Sequence, residues 1–171
     1  MSEFAPALEF MLPHEGGSSN NPKDKGGKTK YGITQASLDR FNHDRPGFGL
    51  PADVYALLLK DAEVFYANAG YWLFAGVESQ QIASKLFDMS VNMGPRQAVR
   101  LAQSTLGVTV DGSFGPKTMA AINAQAPSEI IPDLCAACIQ FYYGIVTREP
   151  DQAVFLKGWL SRARSVPQVI G

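Results

Sequence analysis

Three side chains near the start of the chain have types and a spacing that suit acid–base chemistry. Glu15 follows an apolar segment, Asp24 lies between two lysines, and Thr29 comes five positions after it. A carboxyl group against apolar surface has a raised pKa and keeps its proton near neutral pH, whereas positive neighbours keep a carboxylate ionised. The Thr29 hydroxyl could hold a water molecule. This set suits cleavage of a glycosidic bond, which needs a proton donor and a second group that activates water or stabilises the cation.

Spacing alone also fits an ordinary interpretation of each residue. A Glu beside two glycines is usually an exposed residue at a helix end, and an Asp between lysines usually lies in a solvated turn. His14 is expected to be exposed or to make a local hydrogen bond rather than to transfer a proton. Without further information, the ordinary interpretation is the more frequent one for Glu15, Asp24 and His14.

The segment before Glu15 has the pattern of an amphipathic helix. Its apolar face consists of Phe4, Leu8, Met11 and Leu12. Pro13 lacks a backbone donor, so the helix is expected to end just before Glu15. Residues 16–32 contain five glycines among Asn and Lys, which predicts a long loop with one or two short strands.

The rest of the chain predicts a mainly α fold. Thr34 is a good helix N-cap, and Gly94-Pro95 forms a sharp corner. Further helices are predicted over about 35–43, from Pro51 to about 68, over 79–92, 95–106, 128–147 and 151–164, and after the VDGSFG turn. A length of 171 residues predicts a single compact domain.

The charge and the hydropathy pattern exclude several kinds of partner. A net charge of -1 with 18% charged residues gives no overall attraction to nucleic acid or to a membrane surface. The N-terminus lacks the basic start and long apolar run of a secretory signal peptide. The longest apolar stretches are predicted to be too short for stable membrane insertion. We therefore expect a soluble protein that is synthesised in the cytoplasm.

The two cysteines form a single CxxC motif, Cys135 and Cys138, within an apolar helical segment. Packing as two small apolar residues is one interpretation, and a reversible disulfide is another. Two thiols are too few for a zinc site when His14 and His43 lie far away in the sequence. We expect no metal and no cofactor.

The opening motif closely resembles that of the family 108 glycoside hydrolases, which are bacterial and phage N-acetylmuramidases. The motif consists of Glu15-Gly16-Gly17, Asn21-Pro22, Asp24, Gly26-Gly27, Thr29 and Tyr31-Gly32-Ile33-Thr34. The likeness continues through Tyr71-Trp72, Leu86-Phe87-Asp88, Val91-Asn92, Gly94 and Gly158-Trp159-Leu160. Residues 101–122, LAQSTLGVTVDGSFGPKTMAAI, resemble the peptidoglycan-binding segment of that family. The resemblance covers nearly the whole chain.

This resemblance implies a lysozyme-like helical domain with a short β-containing loop near its N-terminus. Residues 1–94 would form the muramidase part, and residues 95–171 a peptidoglycan-binding-like helical part. Glu15 matches the catalytic glutamate and would be the general acid in hydrolysis of the β-1,4 bond between N-acetylmuramic acid and N-acetylglucosamine. Asp24 and Thr29 would position the water. In phage-type lysozymes the Thr lies six residues after the Asp, and here the sixth residue is Lys30.

Four further residues are predicted to bind the glycan: Tyr31, Tyr71, Trp72 and Asn92. Flat aromatic rings can stack on sugars, although aromatic residues after a helix are more often part of the core. Asp88 is expected to buttress the active-site loop. The four lysines of the loop could be solvated or could attract the carboxylates of peptidoglycan stem peptides.

Two other activities fit the same residues. A lytic transglycosylase would use Glu15 as acid and then as base to form an anhydro sugar, and a non-catalytic protein would only bind the wall. Peptidoglycan glycan strands are the expected partner in each case. We expect action on the wall in the periplasm after delivery through a holin, as for a phage endolysin, or through a secretion machine, in which case an immunity protein would exist.

Overall fold

The computed structural model describes residues 2–14, 18–19, 27–69 and 71–168, and for Ser18, Ser19, Tyr71 and Trp72 it describes the backbone alone. Helices dominate this part of the chain, which confirms the predicted mainly α fold. The helices are α1 Phe4–Met11, α2 Gln35–Asp44, α3 Leu59–Ala69, α4 Gln80–Met93, α5 Pro95–Thr105, α6 Pro116–Asn123, α7 Pro127–Arg148 and α8 Ala153–Arg164.

A small antiparallel sheet lies between α1 and α2. Its strands are β1 Ser18–Ser19, β2 Thr29–Lys30 and β3 Ile33–Thr34, in that order across the sheet. Thr29 of the central strand is paired with Ser19 on one side and Thr34 on the other. Thr34 also caps α2, because its side chain accepts a hydrogen bond from Ser37 N.

The prediction of a helix that begins at Pro51 is wrong. Residues Val54–Ala56 form a 3₁₀ turn, whose start is capped by Asp53, and Leu57 then has an extended backbone (ψ 135°). The α-helix begins only at Leu59, where the Asp61 carboxylate accepts a hydrogen bond from Leu58 N at 2.8 Å. Two acidic capping side chains therefore divide a segment that has a continuous helical pattern of apolar residues.

α4 is the central helix of the fold. It packs against α1, α5 and α7, and its residues from Ile82 to Ser90 are all buried. Gly94 ends α4 with φ 86° and Pro95 starts α5, as the sequence predicted. The buried apolar residues form one cluster that extends from Ala7 in α1 to Ala163 in α8.

α7, Pro127–Arg148, agrees closely with the helix predicted over 128–147. It has 22 residues, and its most apolar window has a mean hydropathy of 1.4, so by length and composition alone it could cross a membrane. The expectation that every apolar stretch is too short is therefore wrong for this helix. Core helices of soluble proteins also meet this criterion, and α7 buries Ile130, Leu134, Cys138 and Tyr142 against the rest of the fold.

Cys135 and Cys138 are free thiols on α7. Cys138 is 1% exposed, and burial raises its pKa to about 12 despite the opposing effect of Lys85. The Cys138 thiol is therefore protonated at neutral pH and packs as a small apolar group.

Candidate active site

The structure describes part of the predicted site. Glu15 and Asp24 lie outside the described residues, and so do the side chains of Tyr71 and Trp72. Thr29, Tyr31 and Asn92 are described in full. The surroundings of the motif are therefore defined by the residue before Glu15, by the hairpin that carries Thr29, and by the helices behind them.

His14, the residue before Glu15, is anchored to the central helix. It ends the 3₁₀ turn Leu12–His14 that follows α1, and its Nδ1 lies 3.0 Å from Asp88 Oδ1 on α4. Because an ionised carboxylate only accepts hydrogen bonds, Nδ1 carries the proton in this pair. The ring also packs edge-on against Phe10, with ring centroids 5.1 Å apart. The expectation that His14 is exposed or makes a local hydrogen bond is wrong, since the residue is half-buried and its partner is 74 positions away in the sequence.

Asp88 is also held by an arginine from the last helix. Arg162 Nε donates to Asp88 Oδ1 at 2.9 Å, and Arg162 Nη2 lies 2.9 Å from the same oxygen. Arg162 Nη2 also donates to the Asp88 backbone carbonyl at 3.2 Å. The two side chains are only 3% and 7% exposed. A buried carboxylate needs such partners, because an unpaired charge would be strongly destabilising there.

Asp88 belongs to a polar stripe on the face of α4 that receives the C-terminal part of the chain. The stripe consists of Gln81, Lys85, Asp88 and Asn92. Lys85, which is completely buried, donates to the carbonyls of Ala163 at 2.9 Å and Ser165 at 2.8 Å, at the C-terminal end of α8. A cation at a helix C-terminus satisfies carbonyls that have no partner within the helix. Lys85 thus fixes α8 where Arg162 can reach Asp88.

Asn92, the last residue of the polar stripe, is fixed by α7. Its Oδ1 accepts a hydrogen bond from the Tyr142 hydroxyl, and the Tyr142 ring stacks on Trp159 of α8 with centroids 5.2 Å apart. Asn92 is half-buried. Its amide NH₂ group can still donate to a ligand, so the predicted contact between Asn92 and the glycan stays a prediction.

Thr29 lies on the central strand of the sheet. Its Oγ1 donates to the Gly27 carbonyl at 3.1 Å, and the side chain is half-buried. A hydroxyl that has donated its proton can still accept hydrogen bonds through its lone pairs. Thr29 can therefore accept a hydrogen bond from a water molecule.

The turn between β2 and β3 has an unusual backbone. Tyr31 and Gly32 both have positive φ values, 53° and 75°, as in the type I′ turn that best joins two antiparallel strands. A tyrosine in this region is strained, because its Cβ crowds the backbone. The Tyr66 hydroxyl on α3 donates to the Tyr31 carbonyl at 2.6 Å and holds the turn in this form. The Tyr31 ring lies beside Lys30 Nζ, at 5.4 Å from centroid to nitrogen.

Replacing Tyr66 by phenylalanine is expected to loosen this turn. The substitution removes the hydrogen bond to Tyr31 and keeps the ring in the core. We therefore expect the free energy of opening the turn to fall by about 1 kcal/mol. Backbone amides of residues 29–34 should then exchange with deuterium about fivefold faster. Tyr143→Phe is a matched control, because Tyr143 is 45% exposed. Equal exchange rates in the two variants would show that Tyr66 does not hold the turn.

A groove begins at this hairpin turn and runs along α2, α3 and the end of α4. Its volume is about 320 Å³. Its walls combine aromatic rings with charged and small residues. The lining residues are Gly32, Ile33, Ser37, Arg40, Phe41, Asp44, Arg45, Phe65, Tyr66, Ala69, Ser90, Val91, Gly94 and Pro95.

Comparison with known proteins identifies the family. Residues 8–94 match the family model described as Glycosyl hydrolase 108, which covers more than half of the chain. The chain belongs to glycosyl hydrolase family 108. Residues 97–164 match a second model, described as a Predicted Peptidoglycan domain. This family member is therefore a glycoside hydrolase, and the two matches together make it a peptidoglycan hydrolase.

A solved structure supports the same assignment. "Structure of Brucella abortus SagA" is 33% identical in sequence, with a TM-score of 0.76, and the alignment covers 93% of this chain and 88% of that one. No curated protein sequence matches the chain. The recognition made from sequence motifs is confirmed.

The buried ion pair connects the two matched segments of this family 108 hydrolase. Asp88 and His14 lie in the segment that matches the hydrolase, and Arg162 lies in the segment that matches the peptidoglycan domain. The second segment therefore contributes directly to the support of the residue before Glu15. Sequence reasoning missed Arg162, Tyr66 and Tyr142. Only the polar stripe on α4, with its helical spacing, could have indicated a buried polar contact with another helix.

The aromatic segment that contains Tyr71 and Trp72 forms a 3₁₀ helix, Tyr71–Phe74. Its last residue, Phe74, is completely buried and meets Phe114 edge-on, with centroids 5.2 Å apart. This end of the segment belongs to the core. Glycan binding by Tyr71 and Trp72 stays a prediction.

Proposed function

We propose that this family 108 hydrolase is an N-acetylmuramidase. It would hydrolyse the β-1,4 bond between N-acetylmuramic acid and N-acetylglucosamine, with Glu15 as general acid. Asp24 and Thr29 would position the attacking water or stabilise the developing cation. The motif resemblance and the family match support this activity.

The observation that carries the proposal is the anchoring of His14. Four peptide steps separate His14 from Ser18, so their Cα atoms lie no more than about 14 Å apart. Ser18 and Ser19 pair with the strand that carries Thr29. Glu15 is the first residue of the connection between these two fixed points. A general acid and a water-positioning hydroxyl placed in this way would flank a single glycosidic bond.

The surroundings of His14 support the role of Glu15 as an acid. α1 buries Leu8 and Met11, and Phe10 packs on the His14 ring. A carboxyl group beside such apolar surface would favour its protonated form, which is the form that a proton donor needs. Thr29, whose proton is committed to the Gly27 carbonyl, would act on water as an acceptor.

The products of digestion test this proposal. Purified peptidoglycan is incubated with the full chain, and the soluble fragments are analysed by mass spectrometry before and after borohydride reduction. A muramidase is expected to release fragments that end in a reducible N-acetylmuramic acid, each heavier by one water molecule than the corresponding anhydro fragment.

Other products would contradict the proposal in distinct ways. Anhydro-muramic acid ends would indicate a lytic transglycosylase, and reducible N-acetylglucosamine ends would indicate cleavage of the other glycosidic bond. A chain that sediments with sacculi and releases no fragments would be a wall-binding protein.

A further inference from the structure

The groove beside the hairpin adjoins a second, basic groove. The second groove is lined by Met93, Gly94, Pro95, Arg96, Gln97 and Arg100. Gly94 and Pro95 line both grooves, so the two grooves are neighbours and together extend from Gly32 in the hairpin turn to the first turns of α5. We call the pair the arginine furrow, after its four arginines: Arg40, Arg45, Arg96 and Arg100.

The arginine furrow is positively charged in a protein with a net charge of -1. Asp44 is the one acidic residue among the described lining residues, and its Oδ1 contacts His43 Nδ1 at 2.9 Å. In the described part of the chain, none of the four arginines forms an ion pair. These guanidinium groups are therefore available to an anionic ligand.

The aliphatic stems of the exposed Arg96 and Arg100 side chains pack against the turn that follows α5. A Cβ atom at Gly112 would lie 2.8 Å from Arg96 Cγ and 3.1 Å from Arg100 Cγ, so only a glycine lets this turn pack on both side-chain stems. Gly112 also has φ 77°. The Gln103 side chain holds this turn through two hydrogen bonds. It accepts one from Gly112 N at 2.8 Å and donates one to Asp111 Oδ1 at 2.8 Å.

The positions of Arg96 and Arg100 do not stabilise α5. Arg96 and Arg100 are four residues apart on α5, where two like charges repel each other. Arg45 at the other end of the furrow lies over Phe41, at 5.4 Å from the ring centroid, which orients its guanidinium group. Guanidinium groups are well suited to planar carboxylates, because they form two parallel hydrogen bonds with them.

The substrate of the proposed activity carries carboxylates close to the bond that is cleaved. In peptidoglycan each muramic acid carries a stem peptide with several carboxylates, and these are attached to the glycan beside the bond that the proposed activity cleaves. We propose that the arginine furrow binds the stem-peptide carboxylates, so that the enzyme selects peptide-bearing glycan strands over bare ones. This inference rests on the proposed function for the choice of substrate. It predicts that peptide removal weakens binding even though the sugar chain is intact.

A binding experiment tests this inference. The full chain with Glu15→Gln is used to prevent hydrolysis, and the ligands are immobilised glycan strands with stem peptides or the same strands stripped by an amidase. We expect about tenfold tighter binding to the peptide-bearing strands at low salt. The Arg96→Gln/Arg100→Gln variant should show about twofold preference or less, and 0.5 M NaCl should have a similar effect.

The matched control removes two positive charges elsewhere. Lys60 and Lys157 are exposed and lie outside the furrow, so Lys60→Gln/Lys157→Gln should keep the tenfold preference. Equal binding of both strands by the Glu15→Gln chain, or an undiminished preference in the arginine variant, would overturn the inference.

Cleavage is measured separately with the unmodified chain. A protein that prefers peptide-bearing strands and cleaves none would contradict the proposed function and leave the furrow's role supported.

Discussion

Replacing Asp88 by alanine is expected to lower the free energy of unfolding by about 3–5 kcal/mol. Asp88 is buried and neutralises the buried Arg162 guanidinium. In the variant, the buried Arg162 guanidinium loses the carboxylate that neutralises it. His14 also loses the acceptor for its Nδ1 proton. Urea denaturation followed by circular dichroism measures the change. Hydrolysis of peptidoglycan should also fall, because the residue before Glu15 is no longer anchored.

A double-mutant cycle separates the ion pair from a loss of packing. Arg162→Met alone should destabilise the fold by a similar amount, whereas Asp88→Ala combined with Arg162→Met should destabilise it by less than the sum. Asp133→Ala is the control, since Asp133 is exposed on α7, and it should change stability by no more than about 0.5 kcal/mol. A loss below about 1 kcal/mol for Asp88→Ala, or additive effects of the two substitutions, would contradict this account of the cluster.

The sequence predicted the local structure well wherever a single residue type decides it. Pro13 and the apolar stripe predicted the end of α1, Thr34 predicted the start of α2, and Gly94-Pro95 predicted the corner between α4 and α5. Each of these features depends on the backbone chemistry of one or two residues. The segment from Pro51 to Leu58 was predicted wrongly, because Asp53 and Asp61 offer its backbone side-chain hydrogen bonds that compete with the helix.

The support of the site could not be predicted in the same way. Asp88 meets His14 and Arg162, and each partner is 74 positions away in the sequence. Nothing in the local sequence around Arg162 distinguishes it from an ordinary arginine in the last turn of a helix. The spacing of Gln81, Lys85, Asp88 and Asn92 does indicate a polar face on α4. The identity of what covers that face depends on how α7 and α8 pack, which a single sequence does not specify.

The roles of Glu15, Asp24, Tyr71 and Trp72 stay predictions. The family membership, the anchored His14 and the Thr29 strand all support Glu15 as the acid. The functional division of the chain at residue 94 also stays a prediction. The contact of Arg162 with Asp88 argues that the second part supports the first, in addition to any binding of the wall.

Replacing Glu15 by glutamine is expected to lower hydrolysis of peptidoglycan by a factor of about 10²–10⁴. Glutamine has nearly the same shape as glutamic acid and cannot donate an acidic proton to the leaving oxygen. Removal of general acid catalysis accounts for a factor of about 10²–10⁴. The substitution keeps the size of the side chain and leaves both partners of the contact between His14 and Asp88 in place, so the helical circular dichroism should be unchanged. Glu9→Gln, the same substitution at an exposed position on α1, should keep full activity.

The release of reducing ends from purified peptidoglycan, measured for the native chain, Glu15→Gln and Glu9→Gln at equal concentrations, tests the central claim most directly. The account predicts rapid release by the native chain and by Glu9→Gln, and release near the background level by a folded Glu15→Gln. Full activity in Glu15→Gln would contradict it.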